Sequence, residues 1–193
     1  MQTTLLSIGI AIILALAAAP VAPVFIDWSQ YRAEIEAEAG RMVGLPVRIG
    51  GAIDVRLLPM PSLRLSDVQI GPPASAQTMS ISGLAMEFGL GTLMRGEFRA
   101  NQVVLDRPEM RVGLDRSGAV QMPSLSFRFD ADRFAVERLA INDGRLVLTD
   151  AVSGARLAID RLSLSGEVGS LVGPFKVEGS FTAEGEQYAY RLF

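Results

Sequence analysis

Apolar and polar residues alternate with a period of two over most of the chain after residue 46, and this pattern constrains the fold more than any other feature. Such a period places successive side chains on opposite faces of a β-strand. Turn residues at 142–144 and 153–154 separate two pairs of these runs. We therefore predict antiparallel β structure. The last third is the most regular and contains the runs Leu139/Ile141, Leu146/Leu148, Leu157/Ile159, Leu162/Leu164, Phe175/Val177 and Tyr188/Tyr190/Leu192.

The middle of the chain alternates in the same way, with prolines and turn residues between the runs. Pro59, Pro61 and Pro108 are predicted to separate strands, because proline lacks the N–H group that a central strand needs. Residues 115–118 are predicted to form a turn. The predicted strands contain Val47/Ile49, Ile53/Val55/Leu57, Leu63/Leu65, Leu84/Met86/Phe88/Leu90, Val103/Leu105, Met110/Val112/Leu114 and Leu125/Phe127/Phe129.

A weak internal repeat accompanies the alternation. Residues 104–112 and 140–148 share one rhythm, and residues 65–70 form a shorter echo. Each copy consists of an apolar strand end, a polar break and a new strand. Such repeats suit a sheet that grows by the addition of similar strands.

Residues 3–26 contain no charged side chain, and eighteen of these 24 residues are Ala, Val, Ile, Leu or Phe. As a helix they would extend ~36 Å, enough to cross a ~30 Å hydrocarbon core. We predict an uncleaved transmembrane signal-anchor over residues 1–26. The alternative is a signal peptide cleaved near residues 15–19. The apolar character continues past those residues, which favours the anchor.

A short amphipathic helix is predicted over residues 27–44. Asp27 and Gln30 resemble a capping box at its start, and Gly44 and Pro46 mark its end. Its apolar stripe either covers the core of the sheet or lies on a membrane surface. The stripe consists of Trp28, Tyr31, Ile35, Ala39 and Met42.

Composition excludes several kinds of chemistry. The chain has no His and no Cys, so it lacks the triads, thiolate nucleophiles and disulfides that depend on those residues. The net charge of −3 does not indicate a nucleic-acid binder. Asp130 and Asp132 could touch a cation, but a carboxylate pair in a polar turn is usually solvated. Lys176 is predicted to pair with Glu178 on its own face of a strand. We predict no catalytic site, no metal and no cofactor.

The order of these features resembles the bacterial AsmA family. The apolar span leads to Ile26-Asp27-Trp28 and an acidic helix, followed by GLPVRIGGAIDVRLLP at 44–59 and PSLRLSDVQIG at 61–71. LGTLMRGEF at 90–98 looks like the family's next signature. Asp143-Gly144, Asp150, Gly154 and 173–175 look like a later one. The resemblance covers nearly the whole chain.

Membership would imply an inner-membrane anchor and a β domain in the periplasm. It would also imply an elongated, curved sheet of the repeating β-groove type, related to chorein-type bridge proteins, with an apolar trough for phospholipid acyl chains. The β-groove domain would cover residues 45–193 and form the N-terminal part of a longer protein. The implied function is non-enzymatic phospholipid handling for outer-membrane biogenesis, with the inner membrane and other envelope proteins as partners.

Two alternatives stay open at the level of sequence. The same apolar residues could form the closed core of a sandwich or barrel. The chain could also be an anchored scaffold that affects outer-membrane protein assembly without carrying lipid. The residues expected to line the trough are Leu146, Leu148, Leu157, Ile159, Leu164, Phe175 and Val177.

Overall fold

A computed structural model describes residues 27–57, 59–72, 78–95, 98–114, 120–121, 134–150, 153–168 and 175–192. The predicted anchor at 3–26, the turn at 115–118, the strand around Phe127 and the Asp130/Asp132 pair lie outside these ranges. Within them, no helix combines the length and apolar character needed to cross a membrane.

The helical region begins with a 3-10 helix at Trp28–Tyr31, which continues into helix α1 at Arg32–Val43. The Asp27 carboxylate accepts hydrogen bonds from the Ser29 hydroxyl and, at 3.0 Å, from the Ser29 backbone N–H. These bonds hold the pKa of Asp27 below its ordinary value. Gly44 ends α1 with φ of +77°, a left-handed conformation that costs glycine no steric strain. The helical region thus begins after Asp27 and ends at Gly44.

The strands of the described residues form one sheet in the order β1-β3-β4-β5-β7-β8-β9-β10, with β2 paired to β3 and β6 paired to β5. Leu90 does not extend a strand as predicted, since β4 ends at Phe88 and Leu90–Met94 form the short helix α2. The strands are β1 Val47–Ile49, β2 Ile53–Arg56, β3 Ser62–Ile70, β4 Met79–Phe88, β5 Phe98–Leu114, β6 Val120–Gln121, β7 Phe134–Asp150, β8 Arg156–Val168, β9 Phe175–Ala183 and β10 Glu186–Leu192.

The sheet is mixed, so the prediction of a wholly antiparallel sheet is wrong. Strands β5 and β7 pair in parallel, from Phe98 opposite Phe134 to Leu114 opposite Asp150. A parallel pair needs a return connection of a dozen or more residues, and residues 115–133 provide that length. The other strand pairs are antiparallel, and the sheet is open and curved.

A line of backbone irregularities, here called the bend line, crosses the sheet. Asp67, Arg107, Asp143 and Arg161 have φ values of 47–53° in the middle of β3, β5, β7 and β8. The paired residues on either side of these four positions place them next to one another across the sheet. Ser82 of β4 lies between Asp67 and Arg107. Each bend line residue shifts the alternation by one position, so that apolar residues on both sides of it share a face. Bulges of this kind bend and twist a sheet.

The bend line corrects the prediction that strands break at Pro108 and at 142–144. Both sites lie inside continuous strands, β5 and β7. Pro108 follows the positive-φ residue Arg107, at a point where the β5–β7 register is interrupted. A proline is tolerated at such a bulge because no ladder bond is required of its nitrogen. Pro59 and Pro61 do lie between strands, as predicted.

The buried core lies at one end of the sheet, where α1 covers the apolar face of β1–β4. Val68 is 2% exposed, and Ile35, Ala39 and Val43 of α1 pack against its cluster. Burial of each such aliphatic side chain stabilises the fold by roughly 1.5–3 kcal/mol. For Ile35 and Ala39 the stripe therefore covers the core, the first of the two predicted alternatives. The buried members of the cluster are Val47, Ile49, Leu65, Val68 and Ile81.

Helix α1 also protects the free edge of β1. The Ile49 N–H donates to the Glu36 carboxylate at 2.6 Å, and the Ile49 carbonyl accepts from the Arg32 guanidinium. Arg32 also donates to the carbonyl of Gly51 at 2.8 Å. Because these side chains form hydrogen bonds with the backbone groups of Ile49 and Gly51, those groups are not available to pair with another strand.

Candidate functional site

The apolar face of strands β7–β10, here called the trough, contains the residues predicted to contact acyl chains. Leu146 is opposite Ile159 across the β7–β8 pair, and Leu148 is opposite Leu157. Directly opposed residues share a face of the sheet. The structure thus brings these four side chains together on one surface.

Two glycines make room on the same face at the β8–β9 boundary. Gly166 is opposite Val177, and a Cβ atom on Gly166 would lie 2.8 Å from Cγ2 of Val177. Gly179 is opposite Leu164 on one side and Tyr190 on the other. Leu164 and Val177 therefore join the trough by register. The backbone of Phe175 pairs with Val168, and its side chain lies outside the described part of the structure.

The trough also contains an aromatic group that the predicted set omits. The ring of Phe181 stacks on Tyr188 with centroids 5.4 Å apart and contacts Tyr190 at 6.1 Å. The Tyr190 hydroxyl donates to the Ser163 carbonyl at 3.1 Å, so its ring crosses over Gly179. Alternation in β10 could have identified Tyr188 and Tyr190. Phe181 is harder to place, because Gly179 occupies the preceding position on its face.

The apolar face continues from the trough into β5. Val103, Leu105 and Met110 pair with Leu139, Ile141 and Leu146 of β7. Leu105 also packs against the buried core cluster. One apolar surface therefore extends from the end covered by α1 to the last described strand.

Burial differs sharply between the two ends of this surface. The core under α1 is 2–8% exposed, whereas Leu157 in the trough is 46% exposed. Leu146, Leu148, Ile159, Leu164 and Val177 are all half-buried. In the described residues, the main contacts of β8, β9 and β10 are with their neighbours in the sheet. Val112 of β5, opposite Leu148, is also buried, at 2% exposed. Across β8–β10 the described residues leave the trough partly exposed.

The opposite face of β7–β10 carries exposed charged side chains, although Val136 and Thr182 on this face are buried. Arg145 forms an ion pair with Asp160 at 2.9 Å across β7–β8, and both side chains are about half exposed. Glu178 pairs with Arg191 of β10 at 3.6 Å, while Lys176 is opposite Glu167 of β8. The predicted pairing of Lys176 with Glu178 is thus replaced by cross-strand neighbours. Exposed pairs of this kind contribute about 0–1 kcal/mol each.

The depressions of the described surface lie mainly on this polar side. One of about 610 Å³ is lined by side chains of both charges, including Arg138, Lys176 and Glu178. Mixed, exposed charges do not select one ionic ligand. The described residues also contain no cluster of three or more metal-ligating side chains. The distinctive chemical feature of the described molecule is therefore the apolar trough.

The fold and the trough define a class of protein: an open, curved, mixed β-sheet whose apolar face is buried under α1 and partly exposed across β8–β10. The AsmA family model matches residues 2–126, and the chain belongs to the AsmA family, which is linked to envelope biogenesis. The matched residues end before β7, so they do not include the trough. No curated protein and no solved structure matches the chain.

Proposed function

We propose that the chain is a non-enzymatic, membrane-anchored periplasmic protein, whose trough receives phospholipid acyl chains during outer-membrane biogenesis. The observation that carries this proposal is the partly exposed apolar surface across β7–β10. Monomeric soluble proteins rarely expose contiguous apolar patches larger than a few hundred Å², and larger ones mark interaction sites.

The energetics favour an acyl chain as the occupant. Each methylene group that leaves a bilayer for water loses ~0.8 kcal/mol unless another apolar surface replaces the membrane. An open trough can replace it along the whole chain length while the charged head group stays in water. This task needs no nucleophile or general base, in keeping with the absence of His and Cys.

The membrane anchor is the second part of the proposal. It is supported by the uncharged residues 3–26 and by the family match, which begins at residue 2. An anchored trough would remain close to a lipid source. We assign the inner membrane as its location and the periplasm as the location of the sheet.

A pair of substitutions tests the trough as a lipid site. Ile159→Asp places a carboxylate on the apolar face, and Ala158→Asp places one on the opposite face of the same strand. In an open trough the new carboxylate at 159 can reach water, so the full chain should still fold. It should lose co-purified phospholipid, measured by mass spectrometry of extracted lipids, while Ala158→Asp should keep it.

Two results would contradict the proposal. Unfolding of Ile159→Asp alone, measured by circular dichroism, would identify a closed core, where a buried charge costs several kcal/mol. A folded Ile159→Asp with unchanged lipid would show that the trough carries none. Either result would favour a scaffold that acts on outer-membrane proteins through protein contacts.

A further inference from the structure

Four exposed apolar side chains lie at one rim of the sheet, where β2 ends, β3 begins and β4 ends. Met94 is 82% exposed, Met60 is 54% exposed, and Leu57 and Leu90 are each 46% exposed. The Phe88 N–H donates to the Pro61 carbonyl at 2.8 Å, which holds the loop before β3 next to the start of α2. The four residues, here called the rim patch, therefore come from two neighbouring connections.

Packing of α2 against the sheet does not account for the exposure of Leu90 and Met94. This helix has five residues and buries none of them. Leu90 and Met94 are four residues apart, so they share one face of the helix. A hydrogen bond from the Thr92 hydroxyl to the Gly89 carbonyl, at 2.7 Å, supports the helix start instead. The structure thus holds two large apolar side chains in water.

The direction of α1 indicates what covers the rim patch. Glu36 contacts Ile49 of β1, whereas Arg32, one turn earlier, also reaches Gly51. The 3-10 helix before it contacts β2, which runs toward the rim. The first described residues, Asp27 to Tyr31, therefore lie on the side of the sheet that carries Leu57 and Met60.

The residues that join there are the uncharged residues 3–26, which are long enough to cross a bilayer. Trp28 and Tyr31 follow directly, with their rings 6.0 Å apart. Tyr31 is 46% exposed. Tryptophan and tyrosine are enriched at membrane–water interfaces. A bilayer that contains residues 3–26 would therefore lie next to the rim.

We propose that the rim patch is a membrane-contact surface, whose four side chains enter the interfacial region of the bilayer that holds residues 3–26. The contact fixes the sheet against the bilayer at a second point besides the anchor. This inference rests on the anchor in the proposed function, but not on lipid binding in the trough.

The experiment uses the full chain in vesicles of phosphatidylethanolamine and phosphatidylglycerol. Because the chain has no native Cys, single cysteines can carry an environment-sensitive fluorophore. Probes replace Met60, Met94 and, as the control, Arg156, which is exposed at the opposite rim of the sheet and lies on the face away from the trough. A probe at Leu14 reports on the anchor.

We expect probes at 60 and 94 to shift to shorter emission wavelength and to lose fluorescence when lipids carry a quencher below the head group. The probe at 156 should change in neither respect. Met94→Asp should reduce quenching at 60 and leave the circular dichroism spectrum unchanged, because residue 94 is exposed.

Unquenched probes at 60 and 94 with a quenched probe at 14 would overturn the rim contact and leave the anchor intact. An unquenched probe at 14 would overturn both. Equal quenching at 60, 94 and 156 would show non-specific adsorption and also overturn the proposal. Protection of 60 and 94 by a protein in place of lipid would identify a protein interface instead.

Discussion

The position of the Tyr190 side chain depends on Gly179, which is directly opposite it on the neighbouring strand. Its ring crosses Gly179 and its hydroxyl donates to the Ser163 carbonyl. A Cβ atom at position 179 would collide with that carbonyl oxygen and lie 2.7 Å from the Tyr190 hydroxyl. One small residue and one long residue on the trough face therefore connect β10 to β8 across β9.

Replacement of Tyr190 should weaken this strand end. We expect Tyr190→Phe to lower the free energy of unfolding by about 1 kcal/mol, because a neutral hydrogen bond is lost and the ring is kept. Gly179→Ala should cost more, because the backbone of β8 and β9 must separate. Urea unfolding of the full chain in detergent measures both; equal stability of Tyr190→Phe and the parent would exclude this role.

The same residue should make stability depend on alkaline pH. Burial raises the pKa of Tyr190 above the ordinary value of 10.0. Between pH 10 and the higher folded pKa, the folded chain binds more protons than the unfolded chain, so stability falls as pH rises through this window. We expect Tyr190→Phe to reduce that decline, measured as urea midpoints above and below pH 10. An unchanged pH dependence would contradict the assignment.

At the scale of elements, the alternation of apolar and polar residues predicts most of the strands, but its prediction at the bend line is wrong. Leu105 and Met110 are five residues apart, as are Ile141 and Leu146, and yet each pair shares a face. An odd spacing indicates either two strands or one strand with a bulge. Pro108 and Asp143-Gly144 favoured the first interpretation, because both are common in turns. The distinction depends on neighbouring strands, whose bulges are in register, and no local pattern contains that information.

Arg107 offers the clearest test of the bend line. Its φ of 47° suits Asn but is strained for a β-branched residue. We expect Arg107→Val to destabilise the chain by roughly 1–2 kcal/mol. Arg107→Asn, which also removes the charge, should cost much less. Equal urea midpoints for the two variants would show that the left-handed conformation at 107 is not required.

Helix α1 supports the first strand through backbone groups that the sequence pattern does not reveal. We expect Glu36→Ala to accelerate hydrogen exchange of the Ile49 amide, because that N–H loses its acceptor. The Gly50 amide, bonded to the Asp67 carbonyl at 2.8 Å, should stay protected. Glu36→Gln keeps an acceptor oxygen and serves as the control. Exchange by NMR that leaves Ile49 unaffected in Glu36→Ala would exclude the edge contact.

At the scale of the whole molecule, two features lay beyond prediction from sequence. Alternation is the same in parallel and antiparallel strands, so the β5–β7 pair depends on how residues 115–133 return. Alternation also reports that a face is apolar without showing what covers it. Val68 and Leu157 both lie in runs of apolar residues, but α1 covers the first region and leaves the second exposed.

The open trough makes the sheet unusual in energetic terms. Each Å² of apolar surface that stays in water, and is not buried, costs the fold roughly 25 cal/mol of stabilisation. The chain nevertheless keeps a partly exposed apolar face across four strands, while exposed ion pairs lie on the other face. An occupant that covers the trough would therefore both stabilise the sheet and be solubilised by it.

Photo-crosslinking in intact cells tests directly whether phospholipid occupies the trough. A photoreactive amino acid is placed at Leu148 or Ile159 in the trough, and at the adjacent Thr149 or Asp160 on the opposite face. If the trough holds lipid, we expect phospholipid adducts from 148 and 159 and none from 149 and 160. Equal lipid yields from both faces, or only protein adducts from 148 and 159, would contradict it.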